Sequence, residues 1–200
     1  MKKILLATTN QGKILEFGKL FGNFSGVELL SLKDFEKVEE PEETGRTFEE
    51  NSIQKAIYYG ERLKISTIAE DSGLWVNALN GFPSIYSGRL NNGEKKDFSF
   101  SFNALKLLLD YNGVKDFSAK FCCNITFYDF ETKKHSSFAG EVEGKLIFPP
   151  KGSNGFGYDP IFTPNGYGRT FGEFTMEEKN SISHRNRAMK KLEEWLVGNF

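Results

Sequence analysis

Acidic residues stand at two places in the sequence where a divalent cation could be bound. Glu42 and Glu43 lie in an acidic turn over Pro41–Arg46, and Glu70 and Asp71 follow a short apolar segment. Magnesium in proteins is typically held by one or two carboxylates together with phosphate oxygens. Asp71 could therefore bind the metal or accept a proton from an attacking water. The alternative is that Asp71 opens an ordinary Asp-Ser-Gly turn.

Residues 7–13, Ala-Thr-Thr-Asn-Gln-Gly-Lys, have the composition of a phosphate site. They form a polar turn before a predicted helix, where backbone N–H groups and the helix dipole favour an anion. Lys13 adds a full positive charge. The turn also offers hydroxyl and amide groups, from Thr8, Thr9 and Asn10. It is not a Walker A loop, because Ala7 and Ile14 stand where that motif needs Gly and Ser or Thr. The alternative is an ordinary capped helix with a solvated lysine.

Glycines alternate with aromatic residues in the loop Gly152–Pro160. Glycine allows the backbone to approach a ligand closely, and the rings of Phe156 and Tyr158 could stack on a base. The carboxylate of Asp159 could accept hydrogen bonds from a base edge. The alternative is a hairpin-like loop whose aromatic side chains pack into the core.

A second anion-binding corner is predicted where Lys179, His184 and Arg185 surround the start of the last helix. His184 is not predicted to bind a metal, because no Cys or His stands at ligand spacing from it. The alternative is a solvated basic helix start. Taken together, two basic helix starts, an acidic pair and a Gly-aromatic loop describe a site for a nucleotide with several phosphates.

The elements that must position these residues alternate between helix and strand early in the chain and form hairpins later. Periodicity, caps and turn residues predict strands over Lys3–Thr8, Ile65–Ala69, Ala119–Phe130 and Lys134–Leu146. They predict helices over about 11–22, from a Thr47 capping box to about Leu63, over Ser99–Tyr111, and after an N-cap at Ser183. The pattern indicates one mixed α/β domain over residues 1–200, with a long bent sheet between two lobes.

Composition excludes several classes of protein. The 200 residues carry 26 Lys and Arg against 27 Asp and Glu, a net charge of −1, which argues against a nucleic-acid partner. No apolar run approaches the roughly 20 residues that span a bilayer, so no membrane association is expected. The adjacent Cys122 and Cys123 point to opposite faces of a strand, which favours a reducing, cytoplasmic compartment over a disulfide framework.

Six stretches, in order along nearly the whole chain, resemble the inosine triphosphate pyrophosphatase (Ham1-like) family. They are Ala7–Lys13 with Glu16, Thr47–Ala56, Glu70–Leu74, Gly81–Arg89, Gly155–Phe162 and Glu178–Arg185. The Phe-Gly-Tyr-Asp-Pro and Ser-His-Arg segments are specific in combination.

The resemblance implies an elongated mixed β-sheet with helices forming two lobes around a central cleft, and a homodimer. It implies an enzyme that uses Mg²⁺ to hydrolyse ITP, dITP and XTP, purine nucleoside triphosphates, to the monophosphate and pyrophosphate. Such an enzyme clears non-standard purines from the nucleotide pool.

The resemblance also implies roles for individual residues. Asp71 would be the general base and a metal ligand, assisted by either Glu42 or Glu43. Residues on the triphosphate or elsewhere on the substrate would be Thr8, Thr9, Asn10, Gln11, Gly12, Lys13, Lys55, Lys179 and Ser72. Phe156 would stack on the purine. Residues in contact with the base or with its neighbours would be Gly157, Tyr158, Asp159, His184 and Arg185.

The chain departs from the family pattern at Phe82, Ser84 and Gly88, and again at Gly172. These departures bear on the dimer and on the fit of the substrate, not on the type of reaction. Two other functions stay open at this point. One is a pyrophosphatase for other modified nucleotides, and the other is a non-catalytic binder of nucleotides or single-stranded RNA.

Overall fold

The computed structural model describes residues 2–22, 26–90 and 98–199. Within them the helices are α1 Gln11–Phe21, α2 Phe48–Leu63, α3 Ser99–Tyr111, α4 Met176–Ile182 and α5 His184–Asn199. The strands are β1 Lys2–Leu6, β2 Val27–Ser31, β3 Ser66–Val76, β4 Ser118–Asp129, β5 Lys134–Leu146 and β6 Phe162–Pro164. These described strands form one sheet in the order β2-β1-β3-β4-β5-β6. β1 is parallel to β2 and β3, whereas β5 and β6 are antiparallel, which confirms the predicted mixed sheet with helices.

The chain divides into two compact units. The first comprises residues 1–71, 124–139 and 188–200, and the second comprises residues 72–123 and 140–187. Three long strands, β3, β4 and β5, and helix α5 are therefore each divided between the units.

In the first unit, apolar residues of β1 and one face of α1 form the buried layer. Ile4, Leu5 and Phe17 are each 0% exposed, as the alternation of strand and amphipathic helix predicts. Helix α2 lies so close to β4 that a side chain at Gly60 would collide with the ring of Tyr128. The absence of a side chain at Gly60 therefore allows α2 to pack closely against β4.

In the second unit, a core rich in phenylalanine surrounds the aromatic loop. The buried cluster comprises Leu74, Val76, Leu105, Leu109, Ala119, Phe121, Val142, Leu146, Tyr158, Ile161, Phe162, Phe171 and Phe174. Phe121 and Phe162 have ring centroids 4.6 Å apart. The abundant phenylalanine of this sequence thus supplies packing in which tilted and edge-on rings interlock.

The predicted end of the strand Ile65–Ala69 is wrong. β3 does not stop at Ala69 but continues to Val76, so Asp71 lies within a strand and not in a turn. The stretch Glu70-Asp71-Ser72-Gly73 resembles a turn signal in sequence, but residues distant in sequence form ion pairs with its two acids. Gly73 is needed there because a side chain would collide with Ser87.

Other predicted boundaries agree closely with the structure. α3 and β5 have the predicted bounds, and β1 ends at Leu6, earlier than Thr8. Asn10, Thr47 and Ser183 each accept hydrogen bonds from backbone N–H groups of the following helix, as predicted for N-caps. Among residues 2–22, 26–90 and 98–199, none of the helices is both long and apolar enough to cross a membrane.

Candidate active site

The polar corner before α1 is built as a capped helix start. Asn10 Oδ1 accepts hydrogen bonds from the N–H groups of Gly12, at 2.9 Å, and Lys13, at 3.3 Å. Thr8 Oγ1 in turn accepts from the Asn10 N–H at 3.1 Å. Thr9, Asn10, Gln11 and Gly12 are exposed, and the Gln11 side chain accepts from Lys33. Since the cap uses two of the N–H groups, the positive charge offered to an anion at this corner comes from the side chains of Lys13 and the nearby Lys33.

The acid next to Asp71 belongs to a different ion pair from Asp71 itself. Glu70 lies 3.4 Å from Lys13 Nζ, and the Glu70 side chain is only 3% exposed. Neighbouring residues on a strand point to opposite faces, so Glu70 and Asp71 meet different lysines. The two adjacent acids are therefore parts of two different ion pairs. Glu70 holds Lys13 at the first corner.

The carboxylate that accompanies Asp71 comes from Glu43. Lys55 Nζ lies 2.8 Å from Glu43 Oε1 and 3.2 Å from Asp71 Oδ1, so one ammonium group bridges the two acids. Glu42 is exposed. Of the two candidates in the acidic turn, Glu43 is thus the one that the structure brings together with Asp71.

Burial dominates the electrostatics of this cluster. It raises the pKa of Asp71, the positive charge of Lys55 opposes that rise, and the nearby Glu43 adds to it. Burial also disfavours the charged form of Lys55, but Asp71 and Glu43 outweigh this effect and raise the pKa of its ammonium group. Asp71 is therefore a better proton acceptor than an exposed aspartate, because a general base works best with a pKa nearer to the operating pH.

The donor set of this cluster fits magnesium. Glu43 and Asp71 present hard carboxylate oxygens to a single cationic position, now held by the Lys55 ammonium group. In the part of the chain that the structure describes, no group of three or more His, Cys, Asp and Glu side chains could hold a metal. Magnesium often takes only one or two carboxylates and completes its shell with substrate phosphate and water.

Asn51 is a residue of this cluster that the sequence reasoning missed. Its amide donates to Asp71 Oδ2 at 3.1 Å and accepts from the Gly45 N–H at 2.9 Å. The signal was its spacing: Asn51 stands four residues before Lys55 in a predicted helix, so both project from one face.

In the second unit, the loop of predicted base-binding residues is organised by a buried ion pair. Lys179 Nζ lies 2.5 Å from Asp159 Oδ2, with side chains 7% and 2% exposed. The same oxygen accepts from the Phe156 N–H at 2.7 Å. A side chain at Gly155 would collide with this carboxylate, and the φ of +75° also favours glycine. Burial raises the pKa of Asp159, and Lys179 opposes that rise.

The two aromatic side chains of this loop have different surroundings. The Phe156 ring is 57% exposed, with Lys179 Nζ 4.3 Å and the Arg185 guanidinium 5.6 Å from its centroid. Tyr158 is 3% exposed, lies edge-on to Phe98 and donates to the Ser87 carbonyl at 2.9 Å. The expectation that Tyr158 is available for stacking is therefore wrong, because its ring is part of the core.

The basic residues near the last helix also divide in a way the sequence did not predict. Lys179 lies in a separate helix, α4, and not at the start of α5. His184 is buried and stacks on Phe121, with centroids 4.9 Å apart, whereas Arg185 faces Phe156. Between Phe156 and Tyr158 in the aromatic loop, Gly157 has a φ of +62°, which glycine adopts without strain.

The structure therefore groups the predicted site residues into two clusters. In the first unit, Lys13 pairs with Glu70, and Lys55 joins Glu43 to Asp71. In the second unit, the loop cluster comprises Phe156, Gly157, Asp159, Lys179 and Arg185. Ser72 follows Asp71 on β3.

Sequence comparison places this arrangement among known proteins. The profile of the Ham1 family matches residues 4–195. The dITP/XTP pyrophosphatase of Bacillus anthracis is 43% identical over 203 residues, covering 99% of this chain and 100% of that protein. The dITP/XTP pyrophosphatase of Halalkalibacterium halodurans is 41% identical over 198 residues, covering 98% and 100%.

Solved structures give the same result for the fold. A HAM1 protein from Coxiella burnetii matches with a TM-score of 0.92 and 34% identity, covering 99% of this chain and 100% of that chain. The Ham1 protein of Staphylococcus aureus matches with a TM-score of 0.88 and 38% identity, covering both chains completely.

Proposed function

Since the chain belongs to the Ham1 family, we propose that it is a magnesium-dependent pyrophosphatase that hydrolyses dITP, ITP and XTP. The products are the nucleoside monophosphate and pyrophosphate, and the role is removal of non-standard purines from the nucleotide pool. The observation that carries the proposal is the cluster in which the carboxylates of Asp71 and Glu43 converge on one cationic position, that of the Lys55 ammonium group. The relatives named as dITP/XTP pyrophosphatases support the choice of substrate.

In the proposed reaction, the carboxylate of Asp71 accepts a proton from a water molecule as that water attacks the α-phosphorus. A new bond forms between the water oxygen and the α-phosphorus, the bond from the α-phosphorus to the oxygen that bridges to the β-phosphate breaks, and pyrophosphate leaves with that oxygen and the electron pair. Asp71 and Glu43 would hold Mg²⁺, which supplies charge neutralisation for the phosphates. Lys55 and Lys13 add positive charge, which stabilises the developing negative charge in the transition state.

Base selection is proposed to rest on the second cluster. Hypoxanthine and xanthine carry a 6-oxo acceptor where adenine carries an amino donor. Arg185, which faces Phe156, or a backbone N–H group would donate to that oxygen. A site built to pair with one edge rejects a base that leaves its polar groups unmatched. Guanine shares the 6-oxo group, so its exclusion would occur at the 2-amino position.

The decisive experiment measures pyrophosphate release from dITP and from dGTP with Mg²⁺, and repeats the dITP reaction after chelation of the metal. We expect release from dITP to be much faster and to depend on the metal. XTP, dUTP and dTTP in the same assay test the alternative of another modified nucleotide. Binding of dITP without pyrophosphate release would favour the non-catalytic binder and contradict the proposal.

Phe156→Ala is expected to raise KM for dITP by about tenfold, because stacking on an aromatic ring contributes roughly 1–3 kcal/mol per base. Its kcat should stay within about twofold, since the reacting phosphate is held by other residues. Tyr167→Ala, which also removes an exposed ring in the second unit, is the matched control. An unchanged KM for Phe156→Ala would exclude the stacking role.

We also propose that the chain forms a homodimer. The helix α3 has an exposed apolar face that supports this, formed by Phe100, Leu107, Leu108 and Tyr111. Burial of apolar area against a second copy would stabilise the pair.

Sedimentation velocity should therefore give the mass of two chains, and Leu107→Glu should give the mass of one. Leu15→Glu, at an exposed leucine of α1, is the matched control and should leave the mass unchanged. A wild-type protein that sediments as one chain at micromolar concentration would contradict the dimer.

The proposed compartment is the cytoplasm. Cys122 and Cys123 are buried thiols, and the cytosol keeps thiols reduced. Burial raises the pKa of the Cys122 thiol to about 12, so little reactive thiolate forms there.

A further inference from the structure

Asn51 differs from the other buried polar residues of α2 in that both ends of its side chain bind groups from outside the helix. The residue is 1% exposed. Its Nδ2 donates to Asp71 Oδ2, and its Oδ1 accepts from the N–H of Gly45. One amide therefore joins α2, strand β3 and the acidic turn that carries Glu43.

The turn is built to fit this amide closely. A side chain at Gly45 would place its Cβ 2.5 Å from Asn51 Oδ1 and 2.8 Å from the Cβ of Glu50. Glycine is therefore required at position 45 for packing against the first turns of α2. The close fit leaves the Asn51 amide little freedom to rotate, so the position of its N–H groups is fixed.

The two oxygens of Asp71 are divided between two partners on α2. Asn51 binds Oδ2 and Lys55 binds Oδ1, at 3.1 and 3.2 Å. Asn51 and Lys55 are four residues apart, so they project from one face of the helix, and each donates a hydrogen bond to a different oxygen of the Asp71 carboxylate. The Asn51 amide is neutral and does not ionise. The Lys55 ammonium group, in contrast, lies between two carboxylates, at the position that the proposed magnesium ion would take.

We infer that Asn51 is a positioning residue that fixes the orientation of Asp71 and makes Oδ1 its reacting oxygen. This inference rests on the proposed function. By occupying Oδ2, the amide directs Oδ1 toward the position shared with Glu43, and by holding Gly45 it keeps the acidic turn beside that oxygen. Catalytic groups lose much of their effect when misplaced by about 1 Å, which can cost 10²-fold in rate.

The test compares three variants that break the arrangement at different points. Asn51→Asp keeps an acceptor for the Gly45 N–H but loses the donor to Asp71. Asn51→Ala loses both contacts, and Gly45→Ala pushes the amide away through its added Cβ. For each, we expect kcat for dITP to fall by about 100-fold while KM stays within about threefold, because misplacement affects the reacting atoms and not the bound base or phosphates.

The matched control is Ser52→Ala, the next residue on the same helix. Ser52 is fully buried and hydrogen-bonds to Asn124 and Thr126, but it is not part of the Asp71 cluster. This variant should lose stability in urea and keep kcat within about twofold when activity is normalised to folded protein.

The outcomes separate this inference from the proposed function. If wild type releases no pyrophosphate from dITP, the proposed function fails. If wild type is active and the folded Asn51 and Gly45 variants keep kcat within twofold, the inference alone is overturned. The same holds if Asn51→Asp is active and only Asn51→Ala is impaired, because Asn51 would then merely anchor the turn. A variant that does not fold leaves the other two to decide.

Discussion

Asp71→Asn is expected to lower kcat for dITP by about 10³-fold, within the 10²–10⁴-fold range of general-base catalysis. Asparagine has nearly the shape of aspartate and can still accept a hydrogen bond from Lys55. It cannot take a proton from water, and it offers magnesium a neutral oxygen in place of a charged one. Removing this one negative charge therefore affects both the base and the metal.

The variant should fold, because aspartate at this position is itself unfavourable to bury. Burial raises the pKa of Asp71, which shows that its charged form is disfavoured in this site. Urea unfolding and steady-state kinetics of the same preparation measure stability and kcat together. Asp110→Asn, another carboxylate paired with a lysine but exposed on α3, is the matched control and should keep normal turnover. Near-full activity of Asp71→Asn would mean that Asp71 is neither base nor metal ligand.

Lys179→Met is expected to destabilise the folded chain by about 3–5 kcal/mol, because it leaves a buried charge without its partner. Asp159 is 1% exposed, and the Lys179 ammonium group contacts its carboxylate directly. Methionine fills much of the lysine volume, so lost packing contributes little. The free energy of unfolding in urea measures the loss.

The loss should depend on pH in a defined direction. Burial already raises the pKa of Asp159, and removal of Lys179 raises that pKa further. A carboxyl whose pKa is higher in the folded than in the unfolded state favours folding only when protonated. The deficit of the variant is therefore largest at neutral pH and shrinks as the pH falls toward the ordinary aspartate pKa of about 4.

A second substitution tests the cause of this loss. Asp159→Asn combined with Lys179→Met removes the charge but keeps an acceptor for the Phe156 N–H. We expect the double variant to recover most of the lost stability and to lose the pH dependence. A deficit below 1 kcal/mol in Lys179→Met alone would mean that other groups, such as Arg185, are enough to stabilise Asp159.

Most of the helices and strands follow from the amino-acid sequence alone, because their signals act over a few residues. The apolar face of α1, the period of α3 and the caps Asn10, Thr47 and Ser183 depend on contacts between residues close in sequence. The family resemblance likewise rests on short motifs, and the Ham1 profile over residues 4–195 confirms it.

Which charged side chains pair with each other depends on the folded arrangement of the chain. The Glu-Asp-Ser-Gly stretch after Ala69 reads locally as a turn, but Lys13, Asn51 and Lys55 compensate its acids and keep it within β3. The Asp159–Lys179 pair likewise joins two elements. The cost of burying a charge depends on partners that lie far apart in sequence. No local pattern could therefore show that Glu43 accompanies Asp71, or that Tyr158 belongs to the core while Phe156 is exposed.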